Sequence, residues 1–110
     1  MAACRSSGIE TASAVISGER CKLVSIHAVY TGTTGTTTVS VWDNASAGSG
    51  KELARIILVG SDPTAPTHPA AALAYRNIEF DMHGVIATNG LYLTISTGSG
   101  TGAAVSVEFA

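Results

Sequence analysis

Charged residues are scarce in this chain of 110 residues. Lys and Arg total 6, Asp and Glu total 8, and together they make 13% of the sequence, whereas soluble domains average about 25%. The six cations are scattered, and without a basic stripe we expect no binding to nucleic acid. With a mean hydropathy of +0.31, the surface is expected to be covered either by Ser, Thr, Gly and Ala or by neighbouring subunits.

Long apolar runs are also missing. No stretch approaches the roughly 18 residues that a membrane-spanning helix needs. The amino-terminal sequence MAACRSSGIETASAV lacks the apolar segment of a secretory signal. We therefore expect a protein without a membrane partner that stays in the compartment where it is made. In a reducing compartment its two cysteines, Cys4 and Cys21, are expected to be free thiols.

Helical periodicity is absent over any stretch long enough for a crossover helix, which excludes parallel βαβ units. Short stretches instead alternate apolar and polar residues, as strands do. The clearest is Leu91–Phe109, where two alternating runs flank the turn-forming Gly98–Gly102. We predict a β-hairpin here. Because an isolated hairpin is marginal in water, its apolar face requires a second layer from the rest of the chain.

Six further stretches have the pattern of strands: Thr11–Ser17, Arg20–Thr31, Thr37–Asp43, Glu52–Val59, Tyr75–Phe80 and Val85–Thr88. Asp81–Gly84 is predicted to be a turn between the last two, and Asp62–Pro69 an extended loop that holds all three prolines. Regular short strands with glycine-rich turns predict an all-β antiparallel β-sandwich of about 7–8 strands, jelly-roll-like or immunoglobulin-like in outline. We expect residues 1–10 to be a mobile arm and residues 11–110 to form the single domain.

Sequence signatures of catalysis are absent. The three histidines lack the short spacing of zinc ligands: His27, His68 and His83. Asp43 has too few neighbouring carboxylates for a calcium cage. The glycines of Gly98–Gly102 precede a strand, whereas a phosphate-binding loop precedes a helix. We therefore predict no enzyme activity and no catalytic, metal-binding or cofactor-binding residue.

Three aromatic residues form the candidate interaction surface: Trp42, Tyr75 and Tyr92. Each is predicted to lie on the strand face opposite the apolar one. Aromatic side chains in such positions are often interface anchors or platforms for sugars. The other interpretation is that they belong to a second buried layer or to an ordinary edge contact.

The succession of the segments LVSIHAVYTG, TVSVWDNASAG, IEFDMHGVIATNGLYLTIS and VSVEF resembles small β-sandwich virion proteins of tailed bacteriophages. The resemblance covers Lys22 to Phe109, and short motifs carry it: Ile26-His27-Ala28 before Thr31-Gly32, Val41-Trp42-Asp43, and Phe80 with Gly84 and Gly90-Leu91. Proteins of this family are decoration or structural subunits, and the resemblance implies no catalytic residues.

The resemblance implies a non-enzymatic virion structural protein, most simply a capsid decoration protein that stabilises the head. It further implies assembly in the host cytoplasm, binding to the major capsid protein or another virion protein, and a homo-oligomer for which we expect a trimer. The alternative function is a carbohydrate-binding β-sandwich module that uses the aromatic residues as a stacking platform.

Overall fold

The computed structural model describes residues 4–32, 35–59, 77–96 and 102–110. These residues form strands only, which confirms the prediction of an all-β fold, and they include no helix that could cross a membrane. The eight strands are β1 (Arg5–Ser6), β2 (Ala14–Ser17), β3 (Cys21–Tyr30), β4 (Thr36–Asp43), β5 (Lys51–Val59), β6 (Asn77–Ala87), β7 (Leu91–Ser96) and β8 (Ala103–Phe109).

The strands form two four-stranded antiparallel sheets that pack face to face as the predicted β-sandwich. Sheet A has the order β1-β8-β3-β6 and sheet B the order β2-β7-β4-β5. The pairs β4–β5, β3–β6, β2–β7 and β1–β8 form one long hairpin. The pairs β3–β8 and β4–β7 roll this hairpin into a sandwich. Eight strands rolled in this way form a jelly roll, which is one of the two predicted outlines.

The core lies between the sheets and follows the alternation of the strands. Every second residue along β7 and β8 is buried, namely Leu91, Leu93, Ile95, Ala103, Val105, Val107 and Phe109. Strands β3, β4 and β5 add further buried residues, including Leu23, Ile26, Val39, Val41 and Leu58. Full burial of one such leucine or isoleucine contributes roughly 1.5–3 kcal/mol.

The predicted hairpin of Leu91–Phe109 is wrong. Strand β7 belongs to sheet B and β8 to sheet A, so the chain crosses the sandwich between them. The alternating apolar residues of the two strands therefore contribute to the core from opposite sheets. The apolar face of each strand is thus covered by the sheet to which the other strand belongs. The same alternation of apolar residues would also suit a hairpin packed against a second sheet.

The turn predicted at Asp81–Gly84 is a bulge within one continuous strand, β6. Ser25 of β3 pairs with Asp81 and Leu23 pairs with Val85, so three residues of β6 lie opposite one residue of β3. The backbone of His83 has a φ of 55° and that of Gly84 a φ of 79°. The His83 N–H donates a hydrogen bond to Asp81 Oδ1 at 2.9 Å. The hydrogen bond and the left-handed backbone are those of a turn. Because β3 pairs with β6 on both sides of these residues, they form a bulge and the strand continues.

In the amino-terminal segment, which is predicted to be a mobile arm over residues 1–10, described residues have backbone partners on β8. Its described part runs along β8, where Arg5 pairs with Phe109 and the Ser7 N–H donates to the Val107 carbonyl at 2.9 Å. Further along, Glu10 and Val105 exchange backbone hydrogen bonds of 2.7 and 2.9 Å. The physical reason is that β8 would otherwise leave one row of its backbone groups unpaired.

Both cysteines are free. Cys4 precedes β1 and Cys21 begins β3, and β8 lies between these two strands. Strands two places apart are separated by about 10 Å, whereas the Cα atoms of a disulfide lie within about 7 Å. Burial raises the pKa of the Cys21 thiol above its ordinary value, which makes that thiol a poorer nucleophile at neutral pH.

Three predictions fall outside the described residues. They are the extended loop Asp62–Pro69, the turn residues 98–101, and the start of the strand predicted from Tyr75. The remainder of that predicted strand lies in β6.

Candidate functional site

Trp42 and Tyr92 lie side by side on the outer face of sheet B. They are directly opposite each other on the neighbouring strands β4 and β7. The residues next to them, Val41 and Leu93, are fully buried and point into the core, so alternation places the two aromatic side chains on the outside. Both are half-buried. Tyr75, the third residue of the predicted interaction surface, lies outside the described residues.

The row of residues that contains the aromatic pair crosses all four strands of sheet B. Val15 of β2 pairs with Tyr92, and Trp42 pairs with Glu52 of β5. The Arg55 guanidinium lies 2.8 Å from a carboxylate oxygen of Glu52. The pKa of the Glu52 carboxyl is held below its ordinary value, first by a hydrogen bond from the Ser40 side chain and then by Arg55. The aromatic pair is therefore flanked by an oriented carboxylate.

The loop between β4 and β5 covers part of Trp42. The Trp42 indole N–H donates to Thr94 Oγ1 at 3.0 Å, and Gly48 packs so closely that a side chain there would collide with Thr94. Asn44 holds the loop in shape, because its Oδ1 accepts from the Ala47 N–H at 3.0 Å. The Thr94 hydrogen bond and the loop therefore hold one edge of the Trp42 ring in place. Among the contacts described, no loop residue covers Tyr92 in this way.

The histidines do not come together. His27 lies on the outer face of sheet A with its Nε2 2.8 Å from Asn77 Oδ1. His83 lies in the bulge of β6, 3.5 Å from Asp81, and His68 is outside the described residues. Within the described part of the chain, no three His, Cys, Asp or Glu residues are grouped closely enough to hold a metal ion.

Asp43 holds the connection between β6 and β7. Its Oδ1 accepts from the Asn89 N–H at 2.7 Å and its Oδ2 from the Thr88 N–H at 3.1 Å. The Asn89 hydrogen bond is the largest cause that lowers the pKa of this carboxyl, followed by the bond from Thr88. Because β6 and β7 belong to different sheets, Asp43 helps to fix where the chain crosses between them.

Asp43→Asn is expected to lower the free energy of unfolding by about 1–3 kcal/mol at pH 7. The pKa is depressed in the folded state, so the carboxylate stabilises the fold fully above the unfolded pKa of about 3.9 and loses this effect as the pH falls through the folded pKa. The difference between Asp43→Asn and the wild type should therefore shrink below about pH 4. Urea denaturation across pH 2.5–7 measures it.

Glu19→Gln, in an exposed turn, is the control for Asp43→Asn and should change stability by no more than about 0.5 kcal/mol. A difference between Asp43→Asn and the wild type that stays constant down to pH 2.5 would contradict the role of the charge.

The edge of the sandwich formed by β5 and β6 is a second surface, and the sequence did not indicate it. Among the described strands, the two are the last of their sheets, and they carry exposed apolar residues, namely Ile57, Phe80, Val85 and Ile86. In the sequence, Phe80 continues the apolar phase of Ile78 and has the pattern of a core residue. Only the pairing of the strands shows that β6 ends its sheet.

Comparison with models of protein families, with curated proteins and with solved structures finds no match to this chain. The jelly roll by itself does not select a function, since this fold occurs in capsid, lectin and other domains. Within the described part of the chain, the aromatic pair of sheet B and the β5–β6 edge are candidate interaction surfaces.

Proposed function

We propose that the chain is a non-enzymatic structural subunit of a tailed-phage virion, a decoration protein that binds the major capsid protein or another virion protein and stabilises the head. One observation carries the proposal. Of the six exposed large apolar residues among those described, five lie on strands at the ends of the sheets: Val15, Ile57, Phe80, Val85 and Ile86. Exposed apolar side chains beside unpaired backbone groups favour contact with other subunits.

The scarcity of charge supports the same proposal. With a formal net charge of −2 on 110 residues, a dispersed monomer would have little electrostatic repulsion to keep copies apart. A subunit that is covered by its neighbours in a particle does not need that repulsion. The jelly roll is compatible with this proposal because capsid domains use it, an argument from analogy of fold.

The proposal includes assembly in the host cytoplasm, location in the virion, and a homo-oligomer for which a trimer is the expected state. Closed cyclic symmetry is the usual form of a homo-oligomer. The expectation of three copies comes from the resemblance to phage virion proteins, and the surface described above supports association only.

Mass spectrometry of purified virions from the phage that encodes the chain tests this function. The protein should be present in stoichiometric amounts, and cryo-electron microscopy should locate it on the head. Particles that lack the protein should lose DNA at a lower temperature than complete particles. Its absence from virions of a phage that expresses it would contradict the proposal.

The second candidate function is binding of carbohydrate, and the pairing of Trp42 with Tyr92 favours it. Two aromatic side chains on neighbouring strands give an outward platform, and Glu52 and Arg55 beside it offer a hydrogen-bond acceptor and donors. Sugar rings stack on aromatic faces and use such polar groups at their hydroxyls.

A glycan array followed by titration calorimetry tests carbohydrate binding. Tyr92→Ala should weaken binding of any sugar found by about tenfold. Phe80→Ala removes an exposed aromatic residue from the other sheet and should leave the affinity unchanged. Trp42→Ala is less informative because Trp42 also anchors the loop through Thr94. An array without signal, or equal losses for Tyr92→Ala and Phe80→Ala, would contradict this function.

A further inference from the structure

We propose that copies of this chain bind one another through their β5–β6 edges, with β6 of one copy beside β5 of the next. The inference deepens the proposed function, because it rests on the homo-oligomer proposed above and names its contact surface. Four features of the described strands support it: the lengths of the edge strands, their exposed apolar residues, their charges, and their position on one side of the sandwich.

The two sides of the sandwich differ in the length of open edge that they present. On one side the sheets end in β1 and β2, which have two and four residues. On the other side they end in β5 and β6, which have nine and eleven residues. Very short edge strands are a common protection against unwanted pairing. Only the β5–β6 edge is long enough, among the described strands, to pair with another strand over several residues.

The segment of β6 best suited for pairing is Asn77–Asp81. It lies before the bulge at His83 and Gly84, where the left-handed backbone interrupts a regular ladder. Five residues span about 17 Å. Phe80, in this segment, is 46% exposed, although its partner Ile26 on β3 is buried. A strand placed beside β6 would cover the exposed part of this ring.

The charges favour contact of β6 with β5 over contact of β6 with itself. Strand β6 carries two carboxylates, Glu79 and Asp81, and no Lys or Arg. Strand β5 carries two cations, Lys51 and Arg55, against one carboxylate, Glu52. Two β6 strands side by side would place like charges together, which is unfavourable, whereas β5 offers the opposite sign. Arg55 is bonded to Glu52, but 59% of its side chain remains exposed.

Both halves of the contact lie on the same side of one copy, because β5 lies across the sandwich from β3 and β6. A copy that presents β6 to one neighbour can therefore present β5 to another. Such head-to-tail contacts close into a ring when the rotation between copies is a whole fraction of a turn. The expected trimer is one such ring.

Mixed cross-linking tests which strands meet. Single-cysteine variants are made in a Cys4→Ser/Cys21→Ser background, one with Ile57→Cys on β5 and one with Phe80→Cys on β6. Mixed under oxidising conditions, they should give a covalent dimer of the two variants. Val15→Cys is the control, since Val15 and Ile57 are both 51% exposed but Val15 lies on β2. It should not cross-link to Phe80→Cys.

Sedimentation velocity tests whether this edge holds the oligomer. Phe80→Lys should raise the dissociation constant by about tenfold or more, and Val15→Lys should leave it unchanged. Circular dichroism and the unfolding temperature of each variant show whether the monomer remains folded. A wild-type monomer at all concentrations, or cross-linking of Val15→Cys in place of Ile57→Cys, would overturn the inference.

The failure of this inference and the failure of the proposed function are distinguishable. Oligomers held by β5 and β6 that are absent from virions would leave the contact standing and remove the function. A protein that is found in virions but is monomeric in solution would leave the virion function standing and remove the β5–β6 contact.

Discussion

Replacing Phe109 by alanine is expected to lower the free energy of unfolding by about 3–5 kcal/mol. Phe109 ends β8, an interior strand of sheet A, and its side chain is 8% exposed. Its cross-strand neighbours are Arg5 on β1 and Leu23 on β3, and the backbone of Ala110 bonds to Lys22 in both directions. The surroundings are therefore held in place and cannot collapse into the cavity. Urea denaturation would measure the change.

Val15→Ala is the control for Phe109→Ala. Val15 is half exposed on the edge strand β2, so its truncation should cost no more than about 0.5 kcal/mol. A cost below about 1 kcal/mol for Phe109→Ala would show that the last strand is not central to the core.

Gly90→Ala is expected to destabilise the fold by about 3 kcal/mol, from backbone strain and overpacking together. Gly90 is the last residue of the connection held by Asp43 and has a φ of 144°, a value that residues with a side chain rarely adopt. A Cβ atom at this position would lie 2.5 Å from the Ser17 carbonyl oxygen and 3.1 Å from Ala45 Cα. Both obstacles are backbone atoms, so no side-chain rotation relieves the collision. Thermal or chemical denaturation measures the loss.

Alanine substitutions at two other glycines distinguish the cost of backbone strain from the cost of overpacking. Gly8 has a φ of 72° and open space where a Cβ would lie, so Gly8→Ala should show only the backbone cost of about 1–2 kcal/mol. Gly18 has neither a positive φ nor a close neighbour, and Gly18→Ala should be neutral or slightly stabilising. A Gly90→Ala variant as stable as Gly18→Ala would contradict the close approach of the backbone at Gly90 to Ser17 and Ala45.

The period of the sequence determined which residues face the core, but it could not determine which strands are neighbours. Leu91, Leu93, Val105 and Val107 are buried as their alternation predicts. The same alternation suits a hairpin and a pair of strands in opposite sheets. A short glycine-rich connection favoured the hairpin. The jelly roll instead depends on pairings such as β1 with β8, which bring together residues from the two ends of the sequence.

The turn signals in the sequence likewise predicted the local conformation but not whether the chain reverses its direction. The bond between Asp81 and the His83 N–H is the turn chemistry that the sequence predicts. Whether such a turn reverses the chain or forms a bulge depends on the neighbouring strand. Here β3 pairs with β6 on both sides, through Ser25 and Leu23, and keeps the chain in line.

The candidate surfaces were predictable to different degrees. Alternation placed Trp42 and Tyr92 on the face away from the core, and this prediction is confirmed for both. Their direct pairing depends on the order of β4 and β7, which no local pattern contains. The β5–β6 edge could not be predicted, because exposure of Phe80 and Ile86 depends on which strand ends the sheet.

The place of β8 between β1 and β3 determines when sheet A can be completed. The sheet lacks an interior strand until β8 has been synthesised. The bond from the Val107 N–H to Ser7 Oγ joins positions 100 residues apart, and closing such long loops makes folding slow. Until that happens, β3 has one open edge that other nascent chains can pair with. Sheet A can therefore be completed only after β8 has been synthesised, and until then pairing between chains competes with folding.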